Sequence, residues 1–316
     1  MSATSPVLRA ANLSRSFRVR GTGHEVRALR GVDLSVPAGS AVGLVGESGS
    51  GKSTFARIVA GLLRPSSGEL ELMGTGVAGL SERRRRRLAV PIQMIFQNPR
   101  ASLNPRLPVR RCVAEPLLAQ GLRPGRQEIL GLLDRVGLPA RVADLHAHEL
   151  SGGQCQRVAI ARAVAARPAL IVADEPVSAL DVSVQAQVLN LLKDIQEESG
   201  TSFLFISHDL GVVRFFCDQV NVLYLGQIVE RGDAESVFAG PRHPYTEALA
   251  SAVPAVSPSD RPRRIVLDGE PPRPEQPPRG CAFHTRCHRR IGPICDESAP
   301  RPVPTATGVT RCHLEA

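Results

Sequence analysis

The sequence predicts an α/β protein whose short buried strands each run into a helix or a loop that carries polar chemistry. Three observations predict it. The apolar run Ala41 to Val45 leads into the glycine-rich loop 46–54 and then into residues at helical spacing. Two further apolar runs, Ala169 to Ala173 and Ser202 to Ile206, end in Asp174-Glu175 and in Ser207-His208-Asp209. Beyond about residue 253 the composition shifts to Pro and Cys. A chain of 316 residues with 42% hydrophobic content is long enough for one large core plus an appendage.

Ala41 to Val45 are small or branched apolar residues throughout, as expected of a parallel strand buried on both faces. The next nine residues, Gly46-Glu47-Ser48-Gly49-Ser50-Gly51-Lys52-Ser53-Thr54, fit G-x-x-x-x-G-K-S/T without a gap. Glycines let the backbone take positive φ and approach a ligand closely. The N–H groups of such a loop turn inward as an anion nest at a helix N-terminus. Lys52 then places a compact charge on the β- and γ-phosphates, and the Ser53 hydroxyl suits Mg²⁺. Phe55, Ile58, Val59 and Leu62 recur at helical spacing and Pro65 closes the segment.

Met94-Ile95-Phe96 is strand-like and is followed by Gln97, whose neutral amide can ligate Mg²⁺ and orient water; a solvent-exposed loop Gln is the alternative. Gln156 to Ala166 has the composition of a helix. Asp174 and Glu175 close the run 169–173, at the strand edge where open α/β sheets bind ligands. There Asp174 can hold Mg²⁺ through its water shell, and Glu175 can take a proton from an attacking water. A helix cap formed by the Asp is the alternative. His208 ends the run 202–206, at the same edge as Asp174, where it can hydrogen-bond a γ-phosphate or the attacking water; a structural hydrogen bond is the alternative.

The net charge of +9 raises nucleic acid as a partner. Lys occurs only at 52 and 193, however, and the arginines are spread along the chain, with one run at Arg83 to Arg87. Aromatics make up 3% and Trp is absent, so stacking platforms for bases are few. A solvated surface helix accounts for the run, with contact to anionic lipid headgroups as a further option, and no nucleic-acid partner is expected. No apolar run reaches membrane-spanning length and the N-terminus lacks signal-peptide character, which places the chain in the cytosol.

Six motifs now stand in order: Gly46 to Thr54, Gln97, Leu150-Ser151-Gly152-Gly153-Gln154, Asp174-Glu175, Ser178-Ala179-Leu180-Asp181, and His208. They resemble the Walker A, Q-loop, signature, Walker B, D-loop and H-loop of an ABC-transporter ATPase over roughly residues 7 to 250. The resemblance implies a RecA-like P-loop core, an antiparallel β subdomain near the N-terminus, and an inserted helical subdomain that carries the signature. It implies ATP and Mg²⁺ as ligands, and a domain spanning residues 7–252. It places Phe17 where the family stacks an aromatic on adenine, although Tyr or Trp is common there and Phe17 could equally belong to the core of an early strand. It also implies two ATPase domains facing head to tail. Ser151, Gly152 and Gly153 precede the helical stretch and form a second anion-binding surface, which would serve the ATP held by the other domain. Cys155 departs from the basic residue usual after Gln154.

The branch is legible too. Gln93-Met94-Ile95-Phe96-Gln97-Asn98-Pro99, Ser102-Leu103-Asn104-Pro105-Arg106 and Glu115-Pro116-Leu117 resemble dipeptide and oligopeptide importer ATPases, with nickel importers as near relatives. Pro241-Arg242-His243-Pro244-Tyr245-Thr246 resembles the start of that branch's C-terminal extension. The implied partners are a second ATPase subunit, favoured as a related but distinct chain, two membrane-spanning permease subunits contacted through residues 98–118, and an extracytoplasmic solute-binding protein. The implied location is the cytoplasmic face of the cell membrane. Two other classes compete. A soluble ABC ATPase acting on nucleic acid or ribosomes usually has two cassettes or a long insertion, and neither is present. A non-hydrolysing regulatory module conflicts with Glu175 and His208.

Residues 253–316 read as a Pro-rich connector followed by a cysteine-containing extension. Pro254, Pro258, Pro262, Pro271, Pro272, Pro274, Pro277 and Pro278 exclude a regular helix or a central strand over 254–280. Cys281, Cys287, Cys295 and Cys312 then follow at C-x5-C-x7-C-x16-C, which is not a common zinc-finger spacing. A cytosolic setting disfavours disulfides, and four thiolates brought together would suit Zn²⁺ or a four-iron, four-sulfur (4Fe-4S) cluster. Gly280-Cys281-Ala282-Phe283-His284-Thr285-Arg286-Cys287 matches a pattern of the family extension, which sets iron–sulfur ahead of zinc, with reduced thiols as the alternative. Cys112, Cys155 and Cys217 lie elsewhere and read as isolated free thiols.

Overall fold

A computed structural model describes residues 5–18, 25–77, 80–81, 91–253, 264–273 and 275–316. The run Arg83 to Arg87 lies outside the described residues, as do Pro254, Pro258, Pro262 and Pro274.

In chain order, β1 (Leu8–Arg18) and β2 (Glu25–Val36) form an antiparallel pair, and β3 (Ala41–Val45) runs into α1 (Lys52–Val59). β4 (Ser67–Leu72) and β5 (Thr75–Gly76) complete a four-stranded antiparallel sheet of order β2-β1-β4-β5. After β6 (Ile92–Ile95) comes a helical insertion: α2 (Pro99–Ser102), α3 (Val109–Ala119), α4 (Arg126–Arg135) and α5 (Gly152–Ala165). The chain then alternates through β7 (Leu170–Asp174), α6 (Val182–Ser199), β8 (Ser202–Ser207), α7 (Leu210–Phe216) and β9 (Gln219–Tyr224). β10 (Gln227–Asp233), α8 (Ala234–Ala239) and α9 (Pro244–Ser251) lead to the tail, which holds α10 (Ile294–Glu297) and the hairpin β11 (Val303–Thr305) and β12 (Gly308–Thr310). This is the antiparallel β subdomain, α/β core and inserted helical unit that the motifs imply.

The second sheet has the order β11-β12-β10-β9-β3-β8-β7-β6. β9, β3, β8, β7 and β6 pair in parallel, and every residue of β3, β7 and β8 is buried. Alternation divides their side chains between two cores. Leu204 and Ile206 join Val42, Leu44, Phe55 and the antiparallel sheet on one face. Phe203 and Phe205 join Leu192, Ile195 and the helical insertion on the other. Such two-sided cover is what parallel strands require. Val45 is in register with Ser207, and Asp174 with Ile206, so the residues after β3, β7 and β8 emerge at one edge.

The tail is part of this body. Glu230, Arg231 and Gly232 pair with Thr310, Val309 and Gly308, so the hairpin extends the second sheet and β11 becomes its end strand among the described residues. The approach is close: a Cβ on Gly308 would lie 2.0 Å from the Arg231 carbonyl oxygen. Residues 264–273 form neither helix nor strand, as the prolines predict.

His243 sits beneath the tail, 1% exposed. Its Nδ1 accepts from the Tyr245 N–H at 3.0 Å, and its own backbone N–H donates to Glu230 Oε2 at 2.9 Å. Burial pushes the imidazole down to about 3. The unfolded chain therefore takes up a proton near pH 6.5 that the native chain refuses until far lower, and stability falls as pH drops below 6.5, by up to about 1.4 kcal/mol per pH unit. The melting temperature should fall between pH 7.5 and 5.5. His243→Asn keeps a capping acceptor but cannot titrate, so its melting temperature should fall less over the same range. Equal falls in both proteins would exclude His243 as the cause.

Candidate nucleotide-binding and hydrolysis site

The phosphate loop fills the turn between β3 and α1. Gly46 has φ 154° and Gly51 φ 112°. A Cβ would lie 2.1 Å from the Leu223 carbonyl oxygen at Gly46, and 2.4 Å from that of Ala28 at Gly51. No side chain fits either place. Gly49, with φ 80°, faces open space. Lys52 is 6% exposed, and its ammonium donates to the carbonyls of Gly46 (2.6 Å) and Glu47 (2.9 Å). Burial lowers its pKa, while Glu175, Asp174 and Glu47 pull it back up. Ser50 Oγ is buried without a partner among the described residues, which leaves a donor free in the loop. Ser53 Oγ donates to Asp174 Oδ1 at 3.3 Å. Burial raises the Asp174 pKa and the Ser53 bond opposes it, so a cation beside this carboxylate would find a poorly hydrated anion.

Asp174 is the last residue of β7, and α6 starts only after Asp181. The helix-cap alternative for Asp174 therefore fails. Asp181 occupies that N-cap position with no side-chain capping bond. Glu175 holds φ 50°, a left-handed conformation that costs a non-glycine residue about 1–3 kcal/mol. Its N–H donates to the Ile206 carbonyl at 2.9 Å. Its carboxylate is gripped from both sides: Gln97 Nε2 donates to Oε2 at 2.8 Å, and His208 Nδ1 lies 3.2 Å from Oε1. Gln97, Glu175 and His208 follow the ends of β6, β7 and β8 respectively. The structure thus gathers Lys52, Ser53, Gln97, Asp174, Glu175 and His208 around one sheet edge.

The other residues lie apart from that cluster. Phe17 is the penultimate residue of β1, is 36% exposed and carries the Arg15 guanidinium 4.7 Å from its ring centroid, so it is not a core residue. Ser151 and Gln154 cap the N-terminus of α5 reciprocally: Ser151 Oγ accepts from the Gln154 N–H at 3.2 Å, and Gln154 Oε1 from the Ser151 N–H at 3.0 Å. Gly152 has no atom within 4 Å of a would-be Cβ. Cys155 points inward, fully buried, with its thiol donating to the Ala147 carbonyl at 3.4 Å.

Two features were not anticipated. Arg286 of the tail makes a bidentate ion pair with Glu47 of the loop, at 2.7 and 3.2 Å. Tyr245 Oη accepts from the Glu47 N–H at 2.8 Å. Both residues lie in segments with a visible pattern, but spacing carried no sign of their target. Cys281, Cys287, Cys295 and Cys312 line a single cavity with His284 and His313. Burial raises the pKa of the first, second and last, Cys312 to about 11. Soft thiols around one cavity suit zinc or iron in kind. Among the described residues, however, no group of three His, Cys, Asp or Glu is arranged to hold a metal ion.

Residues 29–178 match the family model described as ABC transporter, and residues 229–295 match that of the oligopeptide/dipeptide transporter C-terminal region. The chain is 45% identical over 303 residues to the dipeptide transport ATP-binding protein DppF of Escherichia coli (strain K12), covering 94% of this chain and 90% of that one. It is 48% identical over 288 residues to the di/tripeptide transport ATP-binding protein DppF of Pseudomonas aeruginosa (strain UCBPP-PA14), covering 89% of each. Among solved structures, a dimeric post-hydrolysis ATP-binding cassette bound to ADP and Pi superposes with a TM-score of 0.67 at 31% identity, covering 72% of this chain and 98% of that one. A cassette from Clostridium perfringens, part of an ABC transporter complex, gives 0.64 at 28% identity, covering 74% and 91%. The chain belongs to the ABC transporter family. Within it, both matched regions and the relatives place it among the ATP-binding proteins of the oligopeptide/dipeptide branch.

The Gly46 geometry makes a sharp prediction. Gly46→Ala forces the loop off the Leu223 carbonyl, so ATP binding measured by calorimetry should weaken by at least about tenfold, the equivalent of 1.4 kcal/mol. Wild-type affinity would contradict the phosphate-cradle geometry.

Proposed function

We propose that this chain is the ATP-hydrolysing subunit of an ABC importer that energises uptake of di- and oligopeptides. The observation that carries the enzymatic reading is the carboxylate of Glu175, held between Gln97 and His208 beside the phosphate loop. In this reading the loop N–H groups and Lys52 hold the ATP phosphates, and Phe17 stacks on adenine. Ser53, Asp174 and Gln97 would hold Mg²⁺, which would supply positive charge to the phosphates. Glu175 accepts a proton as water attacks the γ-phosphorus and ADP leaves, while His208 and Gln97 orient that carboxylate and the water.

The free space over Gly152 and the helix N-terminus behind it support the signature Ser151-Gly152-Gly153-Gln154 serving the ATP of a second, facing ATPase subunit, with Asp181 at the junction. A groove of about 530 Å³ on the helical insertion, lined by Arg110, Arg111, Leu118, Arg123 and Arg126, supports docking to permease subunits from the cytoplasmic face. Among the described residues no helix is long and apolar enough to cross a membrane, so transport needs such partners. An extracytoplasmic binding protein would deliver the peptide. Residues 7–252 form the ATPase domain of this scheme and 253–316 its extension.

Glu175→Gln removes the base but keeps the shape. Turnover should drop by about 10²- to 10⁴-fold while ATP stays bound, and the variant should sediment with membranes when its permease subunits are co-expressed. Wild-type turnover would remove Glu175 from the chemistry, and a pool that remains in the supernatant would sink the importer reading.

The four tail cysteines also support a metal reading, a 4Fe-4S cluster ahead of zinc. Binding would require the thiols to ionise and draw together. Protein purified without oxygen should then contain iron with sulfide, or zinc, at about one site per chain. Metal-free protein with a folded tail would return these residues to ordinary thiols.

A further inference from the structure

We propose that Arg286 is a positioning residue of the ATP site, acting through Glu47; this rests on residues 46–54 holding the ATP phosphates. The pair is separated by 239 positions in the sequence and is almost closed to solvent on the arginine side, whose side chain is 7% exposed. Its fork contacts both Glu47 oxygens, a geometry that a planar guanidinium provides and an ammonium cannot. The arginine end is buried and the glutamate end half-buried, so the pair is screened less than a fully exposed one.

Glu47 is where the tail meets the phosphate chemistry. Its carboxylate takes Arg286, its N–H takes Tyr245 Oη, and its carbonyl takes the Lys52 ammonium. A shift of Glu47 therefore moves the charge that must face the γ-phosphate. Arg286 is itself held firmly. It ends the 3₁₀ turn His284–Arg286, with its N–H donating to the Phe283 carbonyl at 3.0 Å. Phe283 is fully buried, with ring centroids 5.2 Å from Tyr224 and 5.3 Å from Tyr245. The Cys281 N–H donates to the Cys295 carbonyl at 2.8 Å and ties the turn to α10. Glu270 to Arg273 approach the loop from another direction and line a cavity of about 400 Å³ with Glu47 to Ser50. The tail thus supports the loop from outside, while Glu175, Gln97 and His208 work from the sheet edge. Loss of Arg286 should therefore weaken ATP binding and leave the hydrolytic step of bound ATP in place.

The test uses the purified full-length chain without permeases, so its readout does not depend on the transported solute. Arg286→Met retains most of the aliphatic packing and removes the fork. ATP should bind on the order of tenfold more weakly, the factor equivalent to 1.4 kcal/mol. KM should rise with kcat little changed. Because the effect passes through Glu47, Glu47→Ala with Arg286→Met should be no weaker than the worse of the two single variants. Wild-type affinity in Arg286→Met overturns the proposal, as do losses that add in the double variant. If Arg286→Met does not fold, Glu47→Gln, which removes only the charge, must show the same rise in KM; a wild-type KM there also overturns it. Absence of ATP binding by the unaltered chain would instead be a failure of the ATP-site assignment.

Discussion

The parallel register of β3, β8 and β7 is the constraint on which the site depends. Val45 stands beside Ser207, and Asp174 beside Ile206, so three strands end together. From that common edge the chain delivers the phosphate loop, the Asp174-Glu175 pair and His208 within bonding distance of one another. A slip of one residue in any strand would send its side chains to the opposite core. It would also displace a catalytic group by a strand rise, roughly 3.3 Å. The strong burial of Phe203, Leu204, Phe205 and Ile206 therefore sets the chemistry as well as the stability, because it prevents that slip.

Much of this was legible in the sequence where chemistry and spacing coincide. The loop 46–54 announces its strand and helix, and the apolar runs before Asp174 and His208 are strands within a residue of their expected limits. The signature helix was less legible. Gly152 and Gly153 have poor helix propensity, so periodicity starts the helix at Gln156, yet the Ser151–Gln154 capping box starts α5 at Gly152. The grip of Gln97 and His208 on one carboxylate follows from sheet order, which no local pattern encodes. The tail was the least legible part. Strands of three residues with Pro302 and Pro304 nearby carry almost no alternation, and a pairing between residues 47 and 286 leaves no local trace.

The tail also changes what the ATPase core is. Read by composition, it is a connector and a cysteine motif. In three dimensions it supplies two strands to the central sheet, the Phe283 ring that packs on Tyr224 and Tyr245 behind the phosphate loop, and a guanidinium on that loop. Cys281 and Cys287 flank the turn that carries Arg286, and Cys295 of α10 and Cys312 line the same cavity. The link to the phosphate loop is one side-chain ion pair, Arg286 with Glu47, on a turn held by backbone hydrogen bonds.

The end strand β11 has a further consequence, for the behaviour of many copies side by side. Successive residues of a strand turn their N–H groups to opposite sides, and Pro302 and Pro304 both lack one. Residues 303–305 spend one side on β12, which leaves the proline side facing out. Among the described residues, this end of the central sheet is therefore a strand of three residues whose outer side lacks the two N–H groups of Pro302 and Pro304. A neighbouring chain that added there would receive no N–H bond from either proline, which disfavours edge-to-edge pairing of copies at this end of the sheet.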